Sequence, residues 1–175
     1  QGQAYQKLGN TSEALNSFIE SVKLNPDYDL GWMASGNANL ALKQYELAIS
    51  NFKKVAEITK DENTKNKAEE SVNYTLSVQS IEFYNKGNEL YKQGMFEDAI
   101  KSYDLALSIS KDSKYYYQKG LAFSKLSKNK EAEDALKSSV ALNDSFDIGY
   151  VALASIQTAN KDYDGAIKSH EKALS

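Results

Sequence analysis

The side chains that most often perform catalysis are few in this sequence, and they have structural explanations. His170 is the only histidine and cysteine is absent, so no residue set has the composition of a zinc site. Carboxylate pairs such as Glu69-Glu70 stand at predicted helix starts or on polar helix faces, where the helix dipole and solvation account for them. The glycines do not form a phosphate-binding loop. We therefore predict that the protein is not an enzyme and uses no cofactor and no metal.

Tyrosine, amide and lysine side chains are abundant between residues 84 and 125, and this combination suits binding rather than reaction. A tyrosine provides contact area and a hydroxyl group, and a side-chain amide can pair with a peptide backbone. The alternative is that these are partly exposed residues of an ordinary solvated surface. The candidate peptide-binding residues are Asn37, Tyr84, Asn85, Asn88, Tyr91, Lys92, Lys114, Tyr117, Gln118 and Lys125.

The overall composition argues against nucleic-acid and membrane partners. The 175 residues carry a formal net charge of −3, with both signs mixed along the chain. All 21 basic residues are lysines, whereas arginine is the side chain best suited to a bidentate grip on phosphate. No apolar run approaches the ~20 residues that span a bilayer. We therefore expect a protein or peptide partner, with no nucleic-acid binding and no membrane contact.

Small residues recur along the chain with a period near 34. Five alanines are separated by steps of 34, 51, 33 and 34 residues. A small residue stands twelve positions before each alanine, and a larger side chain stands four positions after it. Such a period predicts stacked pairs of helices rather than one compact core. The alanines are Ala14, Ala48, Ala99, Ala132 and Ala166, and the small residues before them are Gly2, Gly36, Gly87, Gly120 and Ala154.

The third repeat resembles the tetratricopeptide repeat most closely, through Phe83, Gly87, Ala99 and Tyr103. That family has the pattern W-x2-L-G-x2-Y, then A-x3-F, then P. The resemblance implies an all-α fold: a right-handed α-solenoid superhelix of antiparallel helix pairs, with about five repeats of which the first and last are truncated. His170 then stands where the family packs an aromatic side chain between helices, which gives it a packing role.

The resemblance predicts a single array over residues 1–175, interrupted by an extra helical insertion at about 63–79. We expect this insertion to extend the first helix of the third repeat, from about residue 66 to about 92, with a capping box at Asn66. The alternative is a separate helix and a kink near Ser80. The chain begins within a repeat, so we expect it to be part of a longer protein. The predicted repeats cover approximately 1–28, 29–62, 80–112, 113–146 and 147–175.

The first helices of such pairs line a concave face that arrays of this kind use for binding. The repeat pattern assigns Tyr103, Tyr116 and Tyr150 to core positions, and it leaves the candidate binding residues on the concave face. We therefore expect these residues to form an aromatic, amide-rich and mildly basic groove.

Some family members grip the C-terminal carboxylate of chaperone tails with a clamp of lysine and asparagine side chains from three successive first helices. Asn37, Asn85 and Lys114 match that clamp, whereas Met33 and Gln118 stand where cationic residues are expected. The resemblance therefore implies a clamp that is mostly broken.

The predicted function is a protein–protein interaction scaffold that binds an extended peptide or a helix of a partner in the concave groove. The alternative is an architectural spacer or a segment that associates with itself end to end. RNA binding by helical repeats is disfavoured, because such readers have basic surfaces. The sequence does not name the partner, and a cytoplasmic location is only the default expectation.

Overall fold

The computed structural model describes residues 1–174, which contain ten α-helices and no β-strand. This confirms the predicted all-α class. None of the helices in this range carries an apolar stretch long enough to cross a lipid bilayer. The helices are α1 (Gly2–Lys7), α2 (Thr11–Leu24), α3 (Asp29–Ala41), α4 (Tyr45–Ile58), α5 (Glu62–Lys92), α6 (Phe96–Ile109), α7 (Ser113–Lys125), α8 (Asn129–Leu142), α9 (Asp147–Ala159) and α10 (Tyr163–Ala173).

The helices form consecutive pairs, and every pair is joined by a turn of three residues. A turn this short makes the two helices of a pair antiparallel neighbours. The middle residue of each turn has a positive φ, which is the left-handed conformation that commonly ends a helix. These residues are Gly9, Lys43, Gly94, Ser127 and Lys161, with φ between 57° and 78°. The five pairs therefore repeat one local backbone geometry.

The recurring small residues let the two helices of a pair approach closely. A Cβ atom placed on Gly36 would lie 2.5 Å from the Phe52 ring, and one on Gly87 would lie 2.5 Å from the Tyr103 ring. Both rings are fully buried, as is Ala99. The spacing in the sequence therefore reflects a close contact between a glycine and a side chain of the second helix, which is a ring in these pairs and Leu136 opposite Gly120.

Contacts divide the chain into two compact units, Gln1–Val78 and Gln79–Ser175. Clusters of buried side chains lie between α2 and α3 in unit 1, and around α6 and α7 and around α8 and α9 in unit 2. Each cluster is built by neighbouring helices, as expected for stacked repeats. The core of each unit is therefore distributed along the helices.

The longest helix, α5, runs for 31 residues from Glu62 to Lys92 without interruption. This confirms the predicted extension, although the helix begins at Glu62 rather than near residue 66, and the alternative of a separate helix is wrong. The predicted capping box at Asn66 is also wrong, because Asp61 caps the helix instead. Its carboxylate accepts hydrogen bonds from the Thr64 hydroxyl at 2.7 Å and the Thr64 backbone N–H at 2.9 Å, and the hydroxyl is the main reason that the pKa of Asp61 is lowered.

Candidate functional site

Nine of the ten candidate binding residues lie in unit 2, on two neighbouring helices. The five on α5 and the four on α7 recur at steps of three, four or seven residues, so each set shares one helix face. The two helices touch: the rings of Tyr84 and Tyr115 stack at 4.8 Å, and the hydroxyls of Ser80 and Tyr115 lie 3.3 Å apart. We call this the α5–α7 surface, formed by Tyr84, Asn85, Asn88, Tyr91, Lys92, Lys114, Tyr117, Gln118 and Lys125.

The tyrosines of the α5–α7 surface are partly buried and held by other aromatic rings. Tyr84 lies 6.0 Å from the buried Tyr103 ring in a tilted arrangement. Tyr91 packs edge-on against Phe96 at 5.2 Å, and Tyr117 packs edge-on against Phe146 at 5.3 Å. Edge-on and offset arrangements are the favourable geometries for aromatic pairs. These rings therefore lie within a cluster of aromatic contacts, and we call Tyr84, Tyr91 and Tyr117 the tyrosine floor.

The hydroxyls of Tyr91, Tyr103 and Tyr117 stay neutral well above physiological pH. Burial raises the pKa of Tyr117, and the nearby Tyr84 raises it further. Burial likewise raises the pKa of Tyr91, with a smaller contribution from Tyr117. Burial also raises the pKa of Tyr103, far above its ordinary value. The floor thus offers uncharged rings and hydroxyl groups.

Hydrogen-bond donors surround this floor. The Tyr103 hydroxyl donates to Asn88 Oδ1 at 2.9 Å, which fixes the amide and leaves its NH₂ group as a donor. Lys92 is paired with Glu89 at 3.0 Å. Within residues 1–174, no ion pair or side-chain hydrogen bond occupies the polar groups of Asn85, Lys114, Gln118 and Lys125. The α5–α7 surface therefore combines an aromatic floor with solvent-accessible donors that have no protein partner, two of them cationic.

The tenth candidate, Asn37, lies in unit 1 on α3 and is exposed. The residues that matched the chaperone-tail clamp therefore belong to different units. Asn85 and Lys114 share the α5–α7 surface, and Asn37 belongs to another part of the molecule.

Two predictions about individual side chains are wrong. Tyr116 was expected in the core, but it is partly exposed, and Tyr115 is buried instead because it packs against Tyr84 of the preceding first helix. His170 was expected to pack between helices, but it is exposed. It lies on α10, and no later helix is described that could cover it. Tyr103 and Tyr150 are buried, which confirms the prediction for both.

The sequence analysis missed apolar side chains that occupy equivalent positions on the first helices of unit 2. Ile81 on α5 and Ile148 and Val151 on α9 are 47%, 56% and 45% exposed. Ile81 and Ile148 each stand six residues before the small residue of their helix, the position that Lys114 occupies in α7. The repeat pattern alone is enough to find these equivalent positions in the sequence. These side chains add apolar area to the same unit.

Comparison with known proteins identifies the repeat. Models of the tetratricopeptide repeat match residues 1–63, 80–113, 113–146 and 150–175. The Hsp70-Hsp90 organizing protein of Triticum aestivum is 25% identical over 97% of the chain. The chain spans about a third of the length of that relative, 33%.

Solved structures of other proteins resemble this fold. The crystal structure of MamA superposes with a TM-score of 0.54 at 17% identity, covering 99% of this chain and 92% of MamA. The first TPR of Spaghetti (RPAP3), solved bound to the HSP90 peptide SRMEEVD, has a TM-score of 0.55 at 26% identity. That match covers 56% of this chain and 79% of the other. The chain therefore belongs to the tetratricopeptide repeat family.

Proposed function

We propose that this protein is an interaction scaffold whose α5–α7 surface holds an extended peptide of a partner protein. The observation that carries the proposal is the set of donors without partners around a tyrosine floor. Such donors can pair with the carbonyl and carboxylate groups of a peptide, and the rings supply contact area. We assign no catalytic role to any residue.

The donors favour a peptide with acidic side chains. Lys114 and Lys125 have no ion-pair partner in the described structure, and α7 contains no acidic residue. An acidic peptide would satisfy both ammonium groups, whereas a basic peptide would be repelled. Because both lysines are exposed, the attraction is expected to weaken in high salt.

A chaperone-type C-terminal tail is the second candidate, and the relatives favour it. One solved relative carries the peptide SRMEEVD, and the similar curated proteins are Hsp70-Hsp90 organizing proteins. Asn85 and Lys114 fit the clamp pattern, but Gln118 stands where a cation is expected. We therefore propose that the surface contacts mainly the acidic side chains of the peptide rather than its terminal carboxylate. These relatives also favour peptide binding over a purely architectural or self-associating role.

The proposal is tested by titrating the peptide SRMEEVD against the wild type and a Tyr84→Ala/Tyr117→Ala variant. We expect the variant to bind at least about tenfold more weakly, because aromatic anchors carry much of the energy of such contacts. A matched control is Tyr28→Ala/Tyr163→Ala, which removes two exposed tyrosines elsewhere and should leave the affinity unchanged. Equal affinity in all three proteins would show that the α5–α7 surface does not bind the peptide.

Two further measurements separate the candidates. Lys114→Gln/Lys125→Gln changes exposed side chains only, so it tests binding without disturbing the tyrosine packing. We expect weaker binding of SRMEEVD and a flatter salt dependence. A C-terminally amidated SRMEEVD should bind nearly as well as the free acid if side-chain carboxylates dominate. A complete loss on amidation would favour the terminal-carboxylate clamp instead.

A further inference from the structure

The first helices of unit 2 carry a row of three side chains whose chemistry alternates. Ile81 on α5, Lys114 on α7 and Ile148 on α9 each stand six residues before the small residue of their helix. All three side chains are exposed. Equivalent positions of stacked repeats lie side by side, so the row is apolar, cationic and apolar in turn. We call these three side chains the α5–α7–α9 row.

Helix α7 packs against both of the other helices that form the row. Tyr115 of α7 stacks on Tyr84 of α5, and Tyr117 and Phe123 of α7 pack against the buried cluster that includes Leu153 of α9. Packed helices have axes about 8–10 Å apart, and an extended chain advances about 3.3 Å per residue. A peptide that crosses the helices therefore passes from one helix to the next in about three residues.

The charges around the row favour an acidic ligand group at its centre and disfavour one at its ends. The ammonium group of Lys114 has no ion-pair partner in the described structure, and the nearby Asp112 carboxylate caps α7 by accepting from the Lys114 backbone N–H at 2.7 Å. An acidic residue adjoins each isoleucine in the sequence, Glu82 on α5 and Asp147 on α9. A ligand carboxylate would meet like charge at either end, whereas an apolar side chain would remove the isoleucine from water.

We infer that the protein selects a partner segment in which one acidic residue stands between two apolar residues, each about three positions away from it. The acidic side chain pairs with Lys114, and the two apolar side chains cover Ile81 and Ile148. The inference rests on the proposed function, and it adds the order of the side chains in the ligand. It also extends the binding site from two helices to three, because Ile148 belongs to α9.

Three acetylated and amidated heptapeptides of identical composition test this order. The first is Leu-Ser-Asn-Glu-Asn-Ser-Leu, with the acidic residue at the centre. The other two are Glu-Ser-Asn-Leu-Asn-Ser-Leu and Leu-Ser-Asn-Leu-Asn-Ser-Glu, with the acidic residue at one end. Each peptide carries a single negative charge, so a preference among them reports order rather than net charge. We expect the central-Glu peptide to bind at least about fivefold more tightly than the other two, measured by titrating the ¹⁵N-labelled chain.

Variants of the row locate these contacts. Ile81→Ser and Ile148→Ser should each weaken the central-Glu peptide about fivefold. Leu105→Ser changes a leucine of similar exposure, 48%, on the second helix α6 and should leave the affinity unchanged. The exchange Lys114→Ile/Ile148→Lys moves the cation from α7 to α9, and this variant should bind one of the end-Glu peptides best. Circular dichroism checks that all variants remain helical.

The inference is overturned if the three heptapeptides bind equally, if the exchange variant still prefers the central-Glu peptide, or if Ile148→Ser and Leu105→Ser have equal effects. These failures are distinct from failure of the proposed function. If SRMEEVD binds and Tyr84→Ala/Tyr117→Ala weakens it while the heptapeptides are not discriminated, the proposed function stands and the order is wrong. If neither SRMEEVD nor any heptapeptide binds, both proposals are wrong.

Discussion

Helix α3 of unit 1 and helix α7 of unit 2 present opposite chemistry at equivalent positions. Leu30 and Met33 on α3 occupy the positions that Lys114 and Tyr117 occupy on α7. The first two side chains are apolar, and the second two supply a cation and an aromatic ring. The difference teaches that the repeat fixes the backbone, while a few outward positions set the chemistry of each helix surface.

The buried side chains at equivalent positions are more similar between the two units than the exposed ones, but one buried pair differs. Phe52 in unit 1 and Tyr103 in unit 2 cover equivalent glycines. Asn37 and Asn88 stand just after those glycines. Only Tyr103 has a hydroxyl, and it fixes the amide of Asn88. A single oxygen atom thus links the core of unit 2 to the α5–α7 surface, and Phe52 in unit 1 has no such atom.

The largest predicted effect tests the shared backbone. Ala99→Phe should lower the free energy of unfolding by about 1–3 kcal/mol, because a ring cannot fit at this fully buried contact. Ala48→Phe should have a similar effect in unit 1, where the fluorescence of Trp32, the only tryptophan, reports the unfolding. Urea denaturation measures both. Ala141→Phe, at an exposed position of α8, is the control, and a loss as large as that of Ala99→Phe would contradict the packing described.

Removing the Tyr103 hydroxyl tests this difference between the two units. Tyr103→Phe removes the hydrogen bond to Asn88 and should cost about 1 kcal/mol of stability, measured by urea denaturation. It should also weaken an acidic peptide at the α5–α7 surface, because the Asn88 amide is no longer oriented. Unit 2 of this variant would then match unit 1, where Phe52 has no hydroxyl group. Unchanged stability together with unchanged affinity would show that this bond has no role.

The turns provide a smaller test of backbone equivalence. Gly94→Ala should destabilise by about 1 kcal/mol, since φ is 78° there and a Cβ atom is disfavoured at positive φ. Ser127→Gly should stabilise by about 0.5–1 kcal/mol, because Ser127 already holds φ at 57°. Thermal unfolding measures both, and changes of the same sign would be inconsistent with a common left-handed turn.

The smallest effect concerns a polar contact of unit 2. Glu133 accepts hydrogen bonds from Lys137 at 2.7 Å and from Asn160 at 2.6 Å, and chiefly the Lys137 bond lowers its pKa. The contribution of ionised Glu133 to the stability of the fold is therefore fully present above its ordinary pKa of 4.5. It is lost as the pH falls through the lower pKa that Glu133 has in the folded protein. Glu133→Gln should reduce the loss of stability on acidification, measured by urea titrations across that range. An identical pH profile would exclude this contribution.

The small residues made the helix pairs predictable from the sequence, because each small residue and the larger side chain of the second helix recur at a fixed spacing. The choice between Tyr115 and Tyr116 was not predictable in the same way. Adjacent aromatic residues differ by only about 100° around a helix, and the position of Tyr84 on the neighbouring helix decides which one is buried. The exposure of His170 depends on which elements pack against α10, and the repeat pattern holds no information about them.

The grouping of the candidate residues was predictable from the sequence, but their electrostatics were not. Steps of three, four and seven residues put the nine unit 2 candidates on two helix faces. The sequence did not reveal that Lys92 is already paired with Glu89, or that Tyr103 orients Asn88.

The most direct test is to map the binding of SRMEEVD by backbone amide chemical shifts in the ¹⁵N-labelled chain. The account predicts that the largest saturable shifts fall within residues 84–92 and 114–125. It also predicts that the amides around Leu30 and Met33 stay in place. Shifts concentrated on the second helices α6 and α8, or centred on the helices α1 to α3 of unit 1, would contradict the assignment of the α5–α7 surface.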